Sequence, residues 1–152
     1  MSQPPPPTDT LQITPWVDPV VDERGYPADS LYVDLFWLPV IGPSATVLFR
    51  RLNLHMRMLG DVESRELGFE VLSGSLGLGR GVNRNAPLPR AIDRCIRFGL
   101  GKRTGPDSLA VRRFVSPISA HHLSGLPHVL QELHAIYLDE STAHSQRSLD
   151  RV

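Results

Sequence analysis

Apolar residues recur every three or four positions between Ala45 and Leu59. The set comprises Ala45, Leu48, Phe49, Leu52, Met56 and Leu59. The polar residues Arg50, Arg51, Asn53 and Arg57 fall elsewhere on the helical wheel. This spacing favours an α-helix with one apolar face, and such a face needs a core to pack against. Because Pro43 suits a first helical turn and Gly60 can end a helix, we predict an amphipathic helix from Ala45 to near Gly60.

The same reasoning predicts three more helices. A short one spans Glu70 to Leu76 and ends at Gly77, since glycine readily adopts the conformation that terminates a helix. Another runs from Pro87 or Leu88 to Phe98, and a last helix follows Pro127. In the helix that ends at Phe98, the apolar stripe is Leu88, Ala91, Ile92, Cys95 and Phe98. In the helix that follows Pro127, the side expected to be buried is Val129, Leu130, Leu133, Ile136 and Tyr137.

Two segments carry patterns typical of strands. In Leu31–Pro43 the apolar residues Leu31, Val33, Leu35 and Trp37 occupy alternate positions. This alternation predicts a strand, and a short helix that ends before Pro39 is the alternative. Between Gly99 and Val115 a Thr-Gly-Pro-Asp turn separates two short strands, which predicts a hairpin that ends before Pro117.

Residues 1–30 differ in composition from the rest of the chain. They contain seven of the fourteen prolines and five of the acidic residues. A proline-rich acidic segment is poor at building a core, so we predict a disordered arm over residues 1–30. We predict a folded domain over residues 31–140 and a flexible tail over residues 141–152.

The chain has 152 residues and a mass of 16.9 kDa, enough for one domain with a tail. Its single cysteine, Cys95, cannot form a disulfide within the chain and fits a reducing compartment. The N-terminus lacks the basic and apolar regions of a signal peptide, and no run approaches the ~20 apolar residues of a membrane span. We therefore expect a cytoplasmic protein without a membrane partner.

The formal net charge is zero, but the basic residues are concentrated in one segment. Residues 80–113 contain nine basic and two acidic residues, a net charge of +7, whereas residues 1–40 carry a net charge of −5. Fifteen of the sixteen basic residues are arginines, a bias that a GC-rich genome also produces. The location of the positive charge is therefore more informative than the choice of arginine.

The segment from Ser75 to Leu100 reads SLGLGRGVNRNAPLPRAIDRCIRFGL, and the predicted hairpin follows it. A short helix ending in Leu-Gly-Leu, a second helix ending in Gly-Leu and then a β-hairpin resemble the winged helix-turn-helix superfamily. The resemblance covers residues 44–115, about half of the chain. It implies an α+β fold, mostly helical, with a two-stranded wing and DNA binding by the second helix. The segment WLPVIGP is similar to one in uncharacterised actinobacterial proteins, which implies no function.

The second helix of this motif has the residues that a recognition helix needs. Arg90, Arg94 and Arg97 form one stripe opposite the apolar face. Arginine can contact guanine bases in the major groove or bind phosphate. Asp93 lies one turn before Arg97, and we expect the two to pair. A solvated amphipathic helix in an arginine-rich protein is the alternative interpretation.

The loop before this helix departs from the family pattern. GRGVNRN lies between Leu78 and Ala86, where a helix-turn-helix normally has three or four residues. Either the insertion over residues 79–85 reaches the DNA backbone as a flexible finger, or it displaces the helix from groove-binding geometry. The phosphate contacts expected in the first case come from Arg80 and Arg84 in the loop and from Lys102 and Arg103 in the wing.

Two functions follow as expectations. The first is a winged-helix protein that binds double-stranded DNA, for example a transcriptional regulator. The second is a non-enzymatic protein-protein interaction module on the same scaffold. A homodimer through the last helix is expected in that case, because its apolar residues exceed what a lone helix needs: Leu126, Leu130, Leu133 and Tyr137.

No pattern predicts an enzyme, a metal site or a cofactor. The glycines of GLGRG lack the spacing of a nucleotide-binding loop and follow a helix instead of a strand. His121, His122, His128 and His134 are close in sequence, but their spacing does not place them on one helical face. Cys95 lies in an apolar stripe, so we interpret it as a core residue and not as a nucleophile.

Overall fold

Helices and strands both contribute to the architecture of this chain. The computed structural model describes residues 10–58, 65–81 and 83–149. These residues contain seven α-helices, a four-stranded mixed sheet and a two-stranded sheet. The expected α+β class is therefore confirmed.

The larger sheet is built from both halves of the chain. Its strands are β1 (Thr10–Trp16), β3 (Arg65–Gly68), β4 (Gly101–Gly105) and β5 (Ser108–Arg112), in the order β3-β1-β5-β4. β1 runs parallel to β5 and antiparallel to β3, and β4 runs antiparallel to β5. The smaller antiparallel sheet consists of β2 (Tyr26–Pro27) and β6 (Phe114–Val115).

The prediction of a disordered arm over residues 1–30 is wrong for residues 10–30. Leu11 and Ile13 of β1 are buried in the core, and α1 (Pro19–Arg24) follows with Asp18 as its N-cap. The acidic, proline-rich composition hid the short stretch TLQITPW, whose alternating apolar residues suit a strand with one buried face. Residues 1–9 lie outside the described residues.

Residues 31–41 are helical, so the strand prediction for Leu31–Pro43 is wrong and the helical alternative is closer. A π-helical turn (Val33–Trp37) leads directly into α2 (Leu38–Ile41). Alternating and helical patterns coincide in so short a run, but the buried residues follow the helical one: Tyr32, Val33, Phe36, Trp37 and Ile41. The π turn precedes Pro39, which lacks the N–H that an α-helix would use at that position. Because the chain leaves α-helical hydrogen bonding just before Pro39, the proline does not end the helix, and α2 continues to Ile41.

α3 (Pro43–Met58) confirms the predicted amphipathic helix. Its apolar stripe is buried from Ala45 to Leu52. Asn53, expected on the polar face, is also buried, and its amide donates to the carbonyls of Phe49 (3.1 Å) and Arg112 (3.0 Å). Because both bonds replace bonds to water, the amide can be buried there and ties α3 to β5. Positions 59 and 60 of the predicted helix lie outside the described residues.

The next two helices and the hairpin are confirmed in outline. α4 (Phe69–Ser75) and α5 (Pro87–Arg97) begin and end within a residue or two of their predicted bounds. β4 and β5 form the predicted hairpin. The other edge of β5 pairs with β1, so the hairpin belongs to a larger sheet and is not the separate two-stranded wing that the resemblance implied.

The C-terminal region consists of two helices. α6 (Ala120–Ser124) is short, and α7 (His128–Leu149) is the longest helix among the described residues. α7 includes residues 141–149, most of the segment predicted as a flexible tail, and gives them a helical backbone. Residues 150–152 lie outside the described residues. No helix in the described residues is both long and apolar enough to cross a membrane.

The buried face of α7 differs from the predicted one. Val129 and Ile136 are 68% and 54% exposed, whereas His134 is only 5% exposed. His134 tolerates burial because the Tyr32 hydroxyl lies 2.9 Å from its Nε2 atom and satisfies it. The remaining predicted residues pack against the core as expected: Leu130, Leu133 and Tyr137.

Candidate functional site

α5 separates an apolar face from a basic one. The predicted stripe of Leu88, Ala91, Ile92 and Cys95 is buried against the core. The opposite face is exposed and contains Arg90, Arg94 and Arg97. Because the apolar face fixes the rotation of the helix, the arginines are held on the surface at defined spacing.

A cleft of about 690 Å³ lies between this basic face and the turn that joins α2 to α3. We call it the arginine cleft. One wall contains the four arginines Arg84, Arg90, Arg94 and Arg97, and the other contains Ile41, Gly42, Ser44 and Ala45. The cleft therefore combines the loop before α5, α5 itself and the first turn of α3.

Arg94 is engaged within the fold. Its Nε donates to the carbonyl oxygen of Ile41 (2.5 Å) and its Nη2 to that of Val40 (3.2 Å). The guanidinium carbon also lies 5.5 Å from the ring centre of Phe98. A cation suits this place because carbonyls at the C-terminal end of a helix lack helical partners. Arg94 thus joins α5 to α2 and forms a fixed part of the arginine cleft.

A buried serine in α4 anchors the start of the inserted loop. Ser73 is fully buried, and its Oγ donates to the carbonyl oxygen of Gly79 at 2.6 Å. The carbonyl of Ser73 in turn accepts from the N–H of Leu78 at 2.9 Å. These two bonds fix the direction in which the chain leaves α4. Sequence reasoning missed Ser73, because a serine in a short helix carries no signal of a partner six residues later.

The inserted loop ends in a turn around Asn83. Its side-chain oxygen accepts from the N–H of Asn85 (3.2 Å), and its main-chain carbonyl accepts from that of Ala86 (2.9 Å). Such side-chain bonding is typical of asparagine in turns. The turn brings Arg84 into the wall of the arginine cleft, while Arg80 is exposed outside that wall. Position 82 lies outside the described residues.

The two cations expected in the wing have partners within the fold. Nη2 of Arg103 lies 3.2 Å from Oδ1 of Asp93, and Nζ of Lys102 lies 4.7 Å from a ring centre of Trp16. The prediction that Asp93 pairs with Arg97 is therefore wrong. β4 packs against α5 and brings Arg103 to Asp93 from another element, a contact that helical spacing cannot foresee.

Seven exposed arginines other than Arg94 form no ion pair within the described residues. Four of them lie together on α5 and the inserted loop, namely Arg80, Arg84, Arg90 and Arg97, whereas Arg24, Arg113 and Arg147 lie elsewhere in the chain. Three arginines elsewhere each bind an aspartate: Arg50 with Asp34 (2.8 Å), Arg57 with Asp29 (2.9 Å) and Arg112 with Asp18 (2.9 Å). A guanidinium group without a carboxylate keeps its planar set of donors for an external anion. Arg80, Arg84, Arg90 and Arg97 therefore mark the part of the surface best suited to bind an anion.

The thiol of Cys95 lies on the buried side of α5, away from this surface. Burial raises the pKa of the Cys95 thiol to about 12, so the thiol stays protonated and poorly nucleophilic. Its Sγ instead lies 3.5 Å from the carbonyl oxygen of Ala45, on the buried side of α5. No group of three or more His, Cys, Asp or Glu side chains in the described parts of the chain is placed to hold a metal ion.

No protein-family model, curated protein or solved structure matches this chain. The fold and the site define its class by themselves: an α+β protein with a basic surface formed by α5 and the inserted loop. Because a fold of this kind can carry many functions, function has to be argued from the chemistry of that surface.

Proposed function

We propose that the protein binds double-stranded DNA through the outer face of α5, on a winged-helix-like scaffold. The observation that carries the proposal is the concentration, on α5 and the inserted loop, of four exposed arginines without an ion pair in the described residues: Arg80, Arg84, Arg90 and Arg97. The major groove of DNA admits an α-helix, and the phosphates on both sides of it attract guanidinium groups. The exposed face of α5 matches both requirements.

The order of elements supports the scaffold. α3, α4 and α5 precede the β4-β5 hairpin, as in the winged helix-turn-helix pattern, and α5 packs against α3. The pairing of β5 with β1 extends the hairpin into a four-stranded sheet. In this proposal the sheet holds the hairpin rigidly beside α5.

The arginines divide into two roles. Arg90 and Arg97 lie two turns apart on α5 and face the major groove. Arg80 and Arg84, in the inserted loop, contact the phosphate backbone. The other three cations predicted as contacts act mainly as positioning residues, since each has a partner in the fold: Arg94, Lys102 and Arg103.

A salt titration tests the proposal. Binding of the full chain to mixed genomic duplex fragments is measured by fluorescence anisotropy between about 50 and 200 mM salt. Neutralisation of three or four phosphates predicts that log affinity falls with log salt at a slope of about −3 to −4. An absence of binding at ~50 mM salt, where the electrostatic contribution is largest, contradicts the proposal.

A pair of variants tests the assignment to α5. Arg90→Ala/Arg97→Ala is compared with Arg24→Ala/Arg147→Ala, which removes the same charge from exposed positions outside the arginine cleft. Loss of a base-contacting arginine is expected to reduce the free energy of binding by about 1–3 kcal/mol for a preferred DNA sequence and by less for random DNA. Equal losses in the two double variants show that only total charge matters and rule out the assignment.

Self-association through α7 is a second candidate function, as an interaction module. The residues first expected at the dimer interface pack inward instead: Leu126, Leu130, Leu133 and Tyr137. The specific observation that favours an interface is the outer stripe of Val129 and Ile136, two turns apart and both more than half exposed. Sedimentation of the wild type and of Val129→Ser/Ile136→Ser over a range of concentrations tests it. A monomer at every concentration excludes this candidate.

A further inference from the structure

We propose that the arginine cleft is a binding site for a phosphoryl group carried by a small molecule or by a nucleic-acid backbone. The inference shares Arg84, Arg90 and Arg97 with the proposed DNA surface, but it does not require that the protein bind a duplex. Its basis is the concave shape of the site and the chemistry of its walls.

The size of the cleft suits a ligand larger than a simple ion. Its volume of about 690 Å³ lies in the range of roughly 300–1,000 Å³ that is typical of small-molecule sites. A single phosphate fills only part of it. The remaining space borders Ile41, Ala45 and Ala91, whose apolar atoms can contact the organic part of a ligand.

The charge of the cleft selects for an anion. Its lining includes four arginines and one aspartate, a formal charge of +3. The aspartate, Asp93, lies 3.2 Å from Arg103, a further cation outside the lining, so the carboxylate is shared and the cleft keeps its positive charge. Like charges held around one cavity repel each other, and a bound dianion relieves that repulsion. Arginine is also the side chain that best matches the oxygens of a phosphoryl group, through paired N–H donors.

Part of the cleft is organised before a ligand arrives. Arg94 is fixed by the carbonyls of Val40 and Ile41, and the turn around Asn83 positions Arg84. Ser44, in the first turn of α3, forms part of the other wall and is exposed. The field of the α3 N-terminus acts in the same direction as the arginines, but the arginines carry the inference. Fixed donors lower the entropy lost on binding.

Thermal unfolding and calorimetric titration of the full chain test for the site. Inorganic phosphate is the probe, with sodium chloride at the same ionic strength as its control. Phosphate is expected to raise Tm by about 3–6 °C at a concentration ~10 times Kd. An equal shift in chloride, or no shift in phosphate, overturns the inference.

Two substitutions locate the phosphate. Arg84→Ala/Arg97→Ala is expected to weaken phosphate binding about tenfold or more, because it removes charged hydrogen-bond donors. Ser44→Glu places a carboxylate in the same cleft, at a helix N-terminus where a negative charge does not disturb folding, and is expected to have the same effect. The matched neutral variant, Ser44→Gln, should stay within about threefold of wild type. Phosphate binding that survives Ser44→Glu places the anion outside the cleft and overturns the inference.

A competition experiment identifies the source of the phosphoryl group. If a short duplex displaces inorganic phosphate, the group belongs to a nucleic-acid backbone. If it does not, and glycerol 3-phosphate binds more tightly than inorganic phosphate, the ligand is a phosphorylated small molecule. Either result supports the cleft as a phosphoryl site.

Arg80→Ala separates this inference from the proposed function, since Arg80 is exposed outside the wall of the cleft. The variant is expected to weaken duplex binding and to leave the Kd for phosphate unchanged. Phosphate binding without duplex binding contradicts only the DNA proposal. Duplex binding without phosphate binding contradicts only the inference about the cleft.

Discussion

The hydroxyl group of Tyr32 connects three parts of the chain. It accepts a hydrogen bond from the N–H of Ile118 at 2.8 Å and lies 2.9 Å from Nε2 of His134. If the Tyr32 hydroxyl donates its proton to Nε2, a neutral His134 carries its ring proton on Nδ1. Burial raises the pKa of Tyr32 to about 12, so the hydroxyl keeps its proton at neutral pH.

Tyr32→Phe is expected to lower the free energy of unfolding by about 1–3 kcal/mol, because it leaves the Ile118 N–H and His134 Nε2 without a partner. Urea unfolding measures the change. Tyr137→Phe removes a hydroxyl from the neighbouring half-buried ring and serves as the control. A similar loss in both variants contradicts a special role for the Tyr32 hydroxyl.

Stability is expected to fall as the pH drops below about 6.5, the ordinary pKa of histidine. Burial lowers the pKa of His134 in the folded protein. Below its ordinary value the unfolded chain therefore takes up a proton that the folded chain does not, and stability is lost as pH falls through the lowered pKa. Urea unfolding at pH 7.5 and pH 5.5 measures this. His134→Gln should reduce the pH dependence, and an unchanged pH dependence in this variant contradicts the assignment to His134.

Polar residues with distant partners could not be predicted from the sequence. The arginines of α5 lie on the predicted face, because helical spacing alone determines the face. The partners of Arg94 and Lys102 depend on α2 and β1, which are far away in the chain. The burial of Asn53 likewise depends on the position of β5. Spacing within one element carries no information about such contacts.

Elements were predictable where the apolar pattern extended over several turns. α3 and α5 repeat their apolar spacing often enough to exclude a strand. The segment 31–41 is too short for this, because its apolar residues satisfy both periods. β1 was missed because proline and acidic content was judged over thirty residues, whereas the strand needs only two inward-facing residues, Leu11 and Ile13.

Ile13→Ala is expected to cost about 2–5 kcal/mol of stability, since Ile13 is fully buried in an interior strand. Val17→Ala, at a position just beyond β1 that is 73% exposed, should change stability by less than about 0.5 kcal/mol. Denaturant unfolding measures both changes. A negligible effect of Ile13→Ala restores the interpretation of residues 10–16 as a loose arm.

At the scale of the whole molecule, aromatic residues join segments from the two ends of the chain. The rings of Tyr26 and Tyr32 stack with their centres 3.8 Å apart. Tyr137 of α7 meets the Tyr26 ring edge-on at 5.8 Å. Phe36 and His134 border the same group, their rings 4.7 Å apart. α7 is therefore held against the segment that follows α1.

A double-mutant cycle tests this connection. Tyr26→Ala and Tyr137→Ala are expected to be coupled by about 0.5–1.5 kcal/mol, the range measured for aromatic pairs. Tyr26→Ala and Val129→Ala, which changes an exposed residue of the same helix, should be additive within about 0.5 kcal/mol. Unfolding free energies of the single and double variants provide the values. Additivity of the two tyrosine substitutions contradicts the proposed connection between the ends.

The parallel pairing of β1 with β5 limits the order in which the chain can fold. Gln12 is paired with Ser108, so the ribosome must add 96 further residues before that partner exists. Contacts between residues this distant in sequence form slowly, whereas neighbouring helices can associate early. Until then β1, which carries Leu11 and Ile13, has no β5 to pair with along that edge, so a short apolar strand stays unpaired there during synthesis. The strand that is made first is thus among the last to be secured.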